Sequence, residues 1–227
     1  MKLIEQNDLN EEEMKCSISE GDVSKQIASF GNHWSFNFRN DPKRLAFVLS
    51  RYKFAAKMAC KGMSVLELGC SEGIGAPILA EHAEHYTGVD LDKPAIDTAK
   101  TNFQEPKYKF IFDDFMGRKY GAFDGVVSLD VVEHILPEFE TIYFDTVVNN
   151  LSEKGICVIG TPNITSVPYA SEYSQLGHVN MYSQERLANV LKKYFHYVFP
   201  FGMNDEIVHT GFAAMSHYIV CVCCYKK

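Results

Sequence analysis

Residues Val65–Gly75 read VLELGCSEGIG, and this stretch decides the fold. An apolar run of Val65, Leu66 and Leu68, interrupted by the acid Glu67, passes straight into Gly69, Ser71, Gly73 and Gly75. Helix-forming sequence, APILAEHAEHY, follows at once. A strand, a glycine-rich turn and a helix in this order build a nucleotide pocket in an open α/β sheet. Glycine lets the backbone pass close to a ligand, and the start of the helix offers unpaired N–H donors.

Working outward, strand and helix patterns alternate. A helix over Ala76–Ala83 leads to a strand at His85–Asp90, and Asp92 caps a helix running to about Phe103. Strands follow at Tyr108–Phe112 and Phe123–Leu129, then a helix at Glu138–Leu151 and a strand at Gly155–Thr161. An irregular stretch, Asn163–Tyr182, precedes a helix over Ser183–Tyr194. Two last strands, Phe195–Phe201 and Met215–Cys224, flank a polar loop and are expected to pair antiparallel. The pattern predicts an α/β, Rossmann-like fold: a seven-stranded, mostly parallel sheet with an antiparallel C-terminal hairpin and helices on both faces. Upstream, DPKRLAFVLSRYKFAAKMAC reads as an amphipathic helix with Asp41 as cap and Pro42 at its first position. Residues 1–41 form an N-terminal arm or lid marked by Phe30, His33, Trp34, Phe36 and Phe38, and one domain spans 42–227.

With 227 residues, 46% hydrophobic and 22% charged, the chain has the composition of one globular domain with a well-developed core. The net charge of −7 argues against nucleic acid as the partner. No apolar run is long enough to span a bilayer, and the N-terminus carries no apolar signal core, so a cytoplasmic protein, monomeric or homodimeric, is expected. The seven cysteines are scattered apart from the C-terminal CVCC, which lies in an alternating apolar run, so no metal is expected.

Ligands of such sheets bind at the carboxyl ends of the strands, so those ends are read together. Asp90 lies 21 positions after Gly69, the offset at which an acid accepts from ribose hydroxyls. Leu91 offers an apolar face to a purine. Asp114, or Asp113 one residue earlier, can accept from an adenine amino group while the N–H of Phe115 reaches a ring nitrogen. Ser128–Val131, with Leu129 and Asp130, closes the set.

In these residues the chain resembles the class I S-adenosylmethionine-dependent methyltransferases from about Arg51 onward. The acid-x-Gly-x-Gly-x-Gly signature stands as Glu67, Gly69, Ser71 and Gly73, with Ser71 replacing the middle glycine. SLDVVEHI, GTPN and GHVNMYS are similar to the small-molecule branch, including ubiquinone-pathway O-methyltransferases and enzymes that tailor capsule and cell-envelope saccharides. The resemblance implies S-adenosylmethionine as cofactor, the glycine loop around its methionine portion, and Arg51 against its carboxylate. It also implies a small-molecule acceptor, first a saccharide or nucleotide-sugar hydroxyl, then a quinone-type phenol or an amine. His178, or His134, is the expected base for a hydroxyl acceptor. His209, His33, Trp34, Asn163 and Tyr182 are the expected substrate contacts.

Two other classes compete. Gly69-Cys-Ser71-Glu-Gly73 also spells the nucleophile elbow of an α/β-hydrolase, but no earlier strands precede it and Glu67 and Asp90 go unexplained. A non-catalytic ligand-binding module is the second. A nicotinamide enzyme is disfavoured by the spacing of the third glycine.

Overall fold

From Val65 to Leu68 every side chain is buried, as a continuous apolar run requires of a central parallel strand. The computed structural model describes residues 27–60 and 62–227, so residues 1–26 of the expected arm lie outside the described residues. Helices α1 (Asn32–Asn40) and α2 (Lys43–Ala59) come first. They are followed by β1 (Met63–Leu68), α3 (Ala76–His82), β2 (Ala83–Asp90), α4 (Lys93–Asn102), β3 (Tyr108–Phe112), β4 (Phe123–Leu129), α5 (Glu140–Asn149) and β5 (Leu151–Pro162). The chain ends with α6 (Glu172–Gly177), α7 (Gln184–Leu191), β6 (Phe195–Asn204), β7 (Ile207–His209) and β8 (Tyr218–Lys226).

One sheet has the order β3-β2-β1-β4-β5-β8-β6-β7. Its first five strands are parallel; β8 runs antiparallel between β5 and β6. The chain moves outward through β1, β2 and β3, then returns to lay β4 against the other side of β1. The loops after β1 and β4 therefore diverge and leave a crevice between them. Two apolar layers cover the sheet. Val48, Tyr52, Ala55, Leu79, Ile96 and Ala99 pack with Val65, Tyr86 and Val127 on one face. Tyr143, Phe144, Val147, Leu187 and Leu191 pack with Leu66, Leu68, Val126 and Ile159 on the other. Cys221 and Cys223 are buried members of that second layer, with no disulfide among the described residues.

Several expectations are corrected. The sheet has eight strands, not seven, because β7 lies in the stretch read as a polar loop. Three residues carry no periodic signal, and their extended form is fixed by pairing with Gly202, Met203 and Asn204. The helix expected from Glu138 begins at Glu140, after a 3₁₀ turn at Pro137–Phe139, and β5 starts at Leu151 rather than Gly155. Asp41 does not cap α2; Pro42 occupies the cap and Asp41 only approaches Lys43 at 4.0 Å. Asp92 does cap α4, accepting from the Ala95 N–H at 3.2 Å. The irregular stretch holds the short helix α6, capped by Ser171. Of the aromatic cluster before α2, His33, Trp34, Phe36 and Phe38 lie in the helix α1, with Trp34 and Asn37 buried and Phe36 and Phe38 exposed, and Phe30 precedes it.

Candidate active site

The crevice over β1 and β4 opens into one cavity of about 1160 Å³, at the upper end of what small-ligand sites occupy and roomy enough for two reactants. Its wall includes the loop after β1. Gly69 has φ +82°, and a Cβ there would stand 2.3 Å from Val131 Cγ2, so only glycine lets this loop pass the segment after β4. Ser71 also adopts a left-handed conformation, φ +47°. That costs a serine on the order of 1 kcal/mol, and the position is held by its N–H, which donates to Asp90 Oδ2 at 2.7 Å. The other Asp90 oxygen accepts from Asp92 N–H at 2.9 Å. A carboxylate has about four acceptor positions, so Asp90 ties the loop to the end of β2 and retains capacity for ribose hydroxyls. Leu91, 66% exposed, lies beside it in the cavity wall.

Glu67 is placed differently from the expectation. It lies beneath the loop, fully buried, accepting from the Tyr86 hydroxyl, and it does not line the cavity. Even numbers on β1 face one apolar layer and odd numbers the other, and Glu67 shares the layer of Val65 and Tyr86. Burial pushes its carboxyl up to about 7. Gly73 likewise packs under the loop, against Ala99 and Phe110.

After β4, Glu133, His134 and His178 bring one donor atom each to within 4.8 Å of one another. The His134 and His178 rings meet edge to face, centroids 4.9 Å apart, and His134 Nδ1 lies 2.9 Å from the Gly177 carbonyl. The Asn180 N–H donates to the Glu133 carbonyl at 3.0 Å, which brings the segment after α6 back onto the end of β4. Glu133 is fully buried; Thr161 donates to its Oε2 at 2.9 Å and its Oε1 has no partner among the described residues. Burial, then the Asp130 charge, push its carboxyl up to about 8. Burial, then His134, hold His178 below the usual imidazole value. One carboxylate and two imidazoles also form a donor set able to hold a divalent transition metal. On the same wall, Arg51 Nη1 meets both Asp130 oxygens at 2.9 and 2.8 Å and stacks over Tyr218, 3.7 Å from the ring centre. Asp130 has φ +58°. The pair keeps its charge largely satisfied within the wall.

A model of the methyltransferase-domain family matches residues 39–194. The chain belongs to this methyltransferase family. A ubiquinone biosynthesis O-methyltransferase of Psychrobacter arcticus is 27% identical over 139 residues, 58% of this chain and 53% of that protein. An uncharacterized methyltransferase of Mycobacterium tuberculosis is 34% identical over 73 residues, 31% of this chain and 37% of that one. The chain thus spans about half the length of the ubiquinone-pathway relatives it matches. The TehB-like SAM-dependent methyltransferase of Corynebacterium glutamicum shares the fold with TM-score 0.65 and 19% identity, covering 86% of this chain and 97% of that one. So does the N-methyltransferase NodS of Bradyrhizobium japonicum bound to S-adenosylhomocysteine, with TM-score 0.61, 16% identity and 90% and 97% coverage. S-adenosylmethionine is the cofactor of such a domain.

Of the expected residues of this methyltransferase, the cavity wall brings together Arg51, Gly69, Ser71, Asp90, Leu91, Phe115, Leu129, Asp130, His33, Trp34, His134 and His178. Asp113 instead accepts from the Tyr120 hydroxyl at 2.9 Å, and Asp114 accepts from the Met116 N–H at 3.1 Å; neither lines the cavity. Asn163 donates to the carbonyls of Ala213 and Ser216 at 2.8 and 2.9 Å, tying the end of β5 to the segment before β8. Tyr182 is buried under Arg186, its hydroxyl donating to Glu140. His209 is held in the β6–β7 hairpin by Asn204 at 2.8 Å. These three stand behind or beside the cavity rather than in it. Sequence reasoning missed Glu133 and Tyr218. The spacing Asp130-x-x-Glu133-His134 directly after a strand was the available signal for Glu133. For Tyr218, which starts the antiparallel β8, there was none.

Proposed function

We propose that this methyltransferase moves the methyl group of S-adenosylmethionine onto a hydroxyl of a small molecule, and that this hydroxyl is phenolic. The observation that carries the reading is one cavity lined both by the glycine loop with Asp90 and by His134, His178 and Glu133. The acceptor oxygen forms a bond to the methyl carbon as the carbon–sulfur bond breaks, and S-adenosylhomocysteine leaves. The sulfonium is already activated, so what the chain must supply is alignment, a dry site and a destination for the hydroxyl proton. His178 is the proposed base: it lines the cavity, and burial beside His134 keeps its ring neutral at pH 7. A phenol, with pKa near 10, yields its proton to such a base far more readily than a saccharide alcohol does. The ubiquinone-pathway relatives support the same choice. A saccharide hydroxyl of the capsule or cell envelope ranks second, and an amine third.

Convergence of Glu133 with both histidines favours a second reading, in which the three hold a divalent cation that orients the acceptor and lowers the pKa of its hydroxyl. Calorimetry with S-adenosylhomocysteine tests the cofactor. Wild type should bind, and Asp90→Ala should weaken binding by about 10- to 100-fold, since it removes hydrogen bonds to a charged group worth about 1.5–3 kcal/mol. No binding to wild type ends the methyltransferase reading. A methyl-transfer screen over phenols, sugar nucleotides and amines identifies the acceptor. With it, His178→Ala should lower kcat about 100-fold or more with S-adenosylhomocysteine affinity unchanged. Turnover that survives chelator in wild type favours the free base; turnover lost to chelator and restored by a divalent cation favours the metal.

A further inference from the structure

Glu72 belongs to the glycine-loop segment but points away from the cavity wall, toward α1. It is 6% exposed, and its two oxygens accept from the first turn of that helix: Oε1 from the His33 N–H at 2.8 Å, Oε2 from the Trp34 N–H at 2.9 Å. These N–H groups have no partner within the helix, and a carboxylate at the positive end of a helix dipole is favourably placed. The backbone leading into α1 is shaped for this contact. A Cβ on Gly31 would lie 2.2 Å from Glu72 Oε1, so the approach requires glycine. The side chain that the contact brings in is Trp34. It is 5% exposed, it lines the cavity, and its indole N–H, a donor only, has no partner among the described residues. A buried donor without an acceptor is costly unless a ligand supplies one.

We infer that Glu72 is a positioning residue, which docks α1 on the cofactor loop and thereby holds the Trp34 indole in the cavity wall against the bound ligand. The loop that cradles the cofactor and the helix that roofs the site then move as one piece, although 38 positions separate Trp34 from Glu72. Asp90 holds the other side of the same loop, through Ser71. The two carboxylates thus divide the work, Asp90 facing the cofactor and Glu72 facing the roof.

Trp34 is the only tryptophan in the chain, so its fluorescence reports on this contact alone. In the wild type its emission should be blue-shifted and weakly quenched by acrylamide. Glu72→Ala should shift the emission to the red and raise the quenching constant severalfold, with far-UV circular dichroism unchanged. Glu72→Gln, which turns an NH₂ toward one of the two N–H groups, should fall between. Gly31→Ala, which attacks the contact from the other side, should reproduce the Glu72→Ala behaviour. Emission and quenching unchanged in all three variants overturns the assignment. S-adenosylhomocysteine should alter Trp34 emission in wild type and leave it unaltered in Glu72→Ala, although calorimetry still detects binding. Binding to wild type without any change in emission overturns the ligand-facing role of Trp34. If wild type binds no S-adenosylhomocysteine, the proposed function falls instead, while the ligand-free emission comparison still judges Glu72.

Discussion

At the scale of single residues, burial decides protonation where sequence shows only an acid. Glu67 carries the acidic place of the signature, yet its carboxyl lies under the loop against Tyr86 and is pushed up to about 7. Between its unfolded value near 4.3 and pH 7, the folded chain keeps a proton that the unfolded chain has lost. Stability therefore falls as pH rises through that window. Glu67→Gln, neutral throughout, should flatten the decline in melting temperature between pH 5 and pH 8 and gain on the order of 1–3 kcal/mol over wild type at pH 8. An unchanged slope on thermal melts at both pH values would show that Glu67 is ionised in the fold. Ser71 shows the opposite relation of residue and backbone. Sequence marks it as a place where glycine is usual, and the structure finds it left-handed, with its N–H, not its hydroxyl, engaged by Asp90. The contact it makes is that of a loop member rather than of a nucleophile.

At the scale of elements, those legible in the sequence are the ones whose stability is local. The five parallel strands announce themselves as apolar runs that end in small or acidic residues, and α4 by the Asp92 cap. Elements that exist through a partner were not legible. Helix α1 lacks a periodic apolar face because Phe36 and Phe38 are exposed, and a carboxylate from the glycine-loop segment caps it. β7 is three residues long and is held by its pairing with β6 and by the His209–Asn204 hydrogen bond. His209→Ala should cost about 0.5–1.5 kcal/mol in denaturant unfolding, the worth of one such bond. Affinity for S-adenosylhomocysteine should be unchanged, because His209 stands outside the cavity. A loss of affinity without a loss of stability would place His209 in the site after all.

At the scale of the whole molecule, the site is a property of the sheet order. Because β4 returns to the far side of β1, the loops after both strands face one cavity, and its wall draws on residues from α1 to β8. S-adenosylhomocysteine at 100 times its dissociation constant should therefore stabilise the entire fold by about 2.7 kcal/mol. In a chain of this size that raises the melting temperature by about 5–10 °C, and a thermal-shift titration checks it. The same geometry sorts what the sequence by itself determined from what it did not. The α/β class, the glycine loop and the cofactor were determined by sequence, because each rests on a strand, a turn and a helix start within about two dozen residues of one another. The roofing of the site by Glu72 and Trp34, the Arg51–Asp130 pair 79 positions apart, and the meeting of Glu133 and His134 with His178 were decided only by tertiary structure. These contacts join residues that no local pattern links, and burial, which only the finished sheet supplies, gives each its partner and its charge.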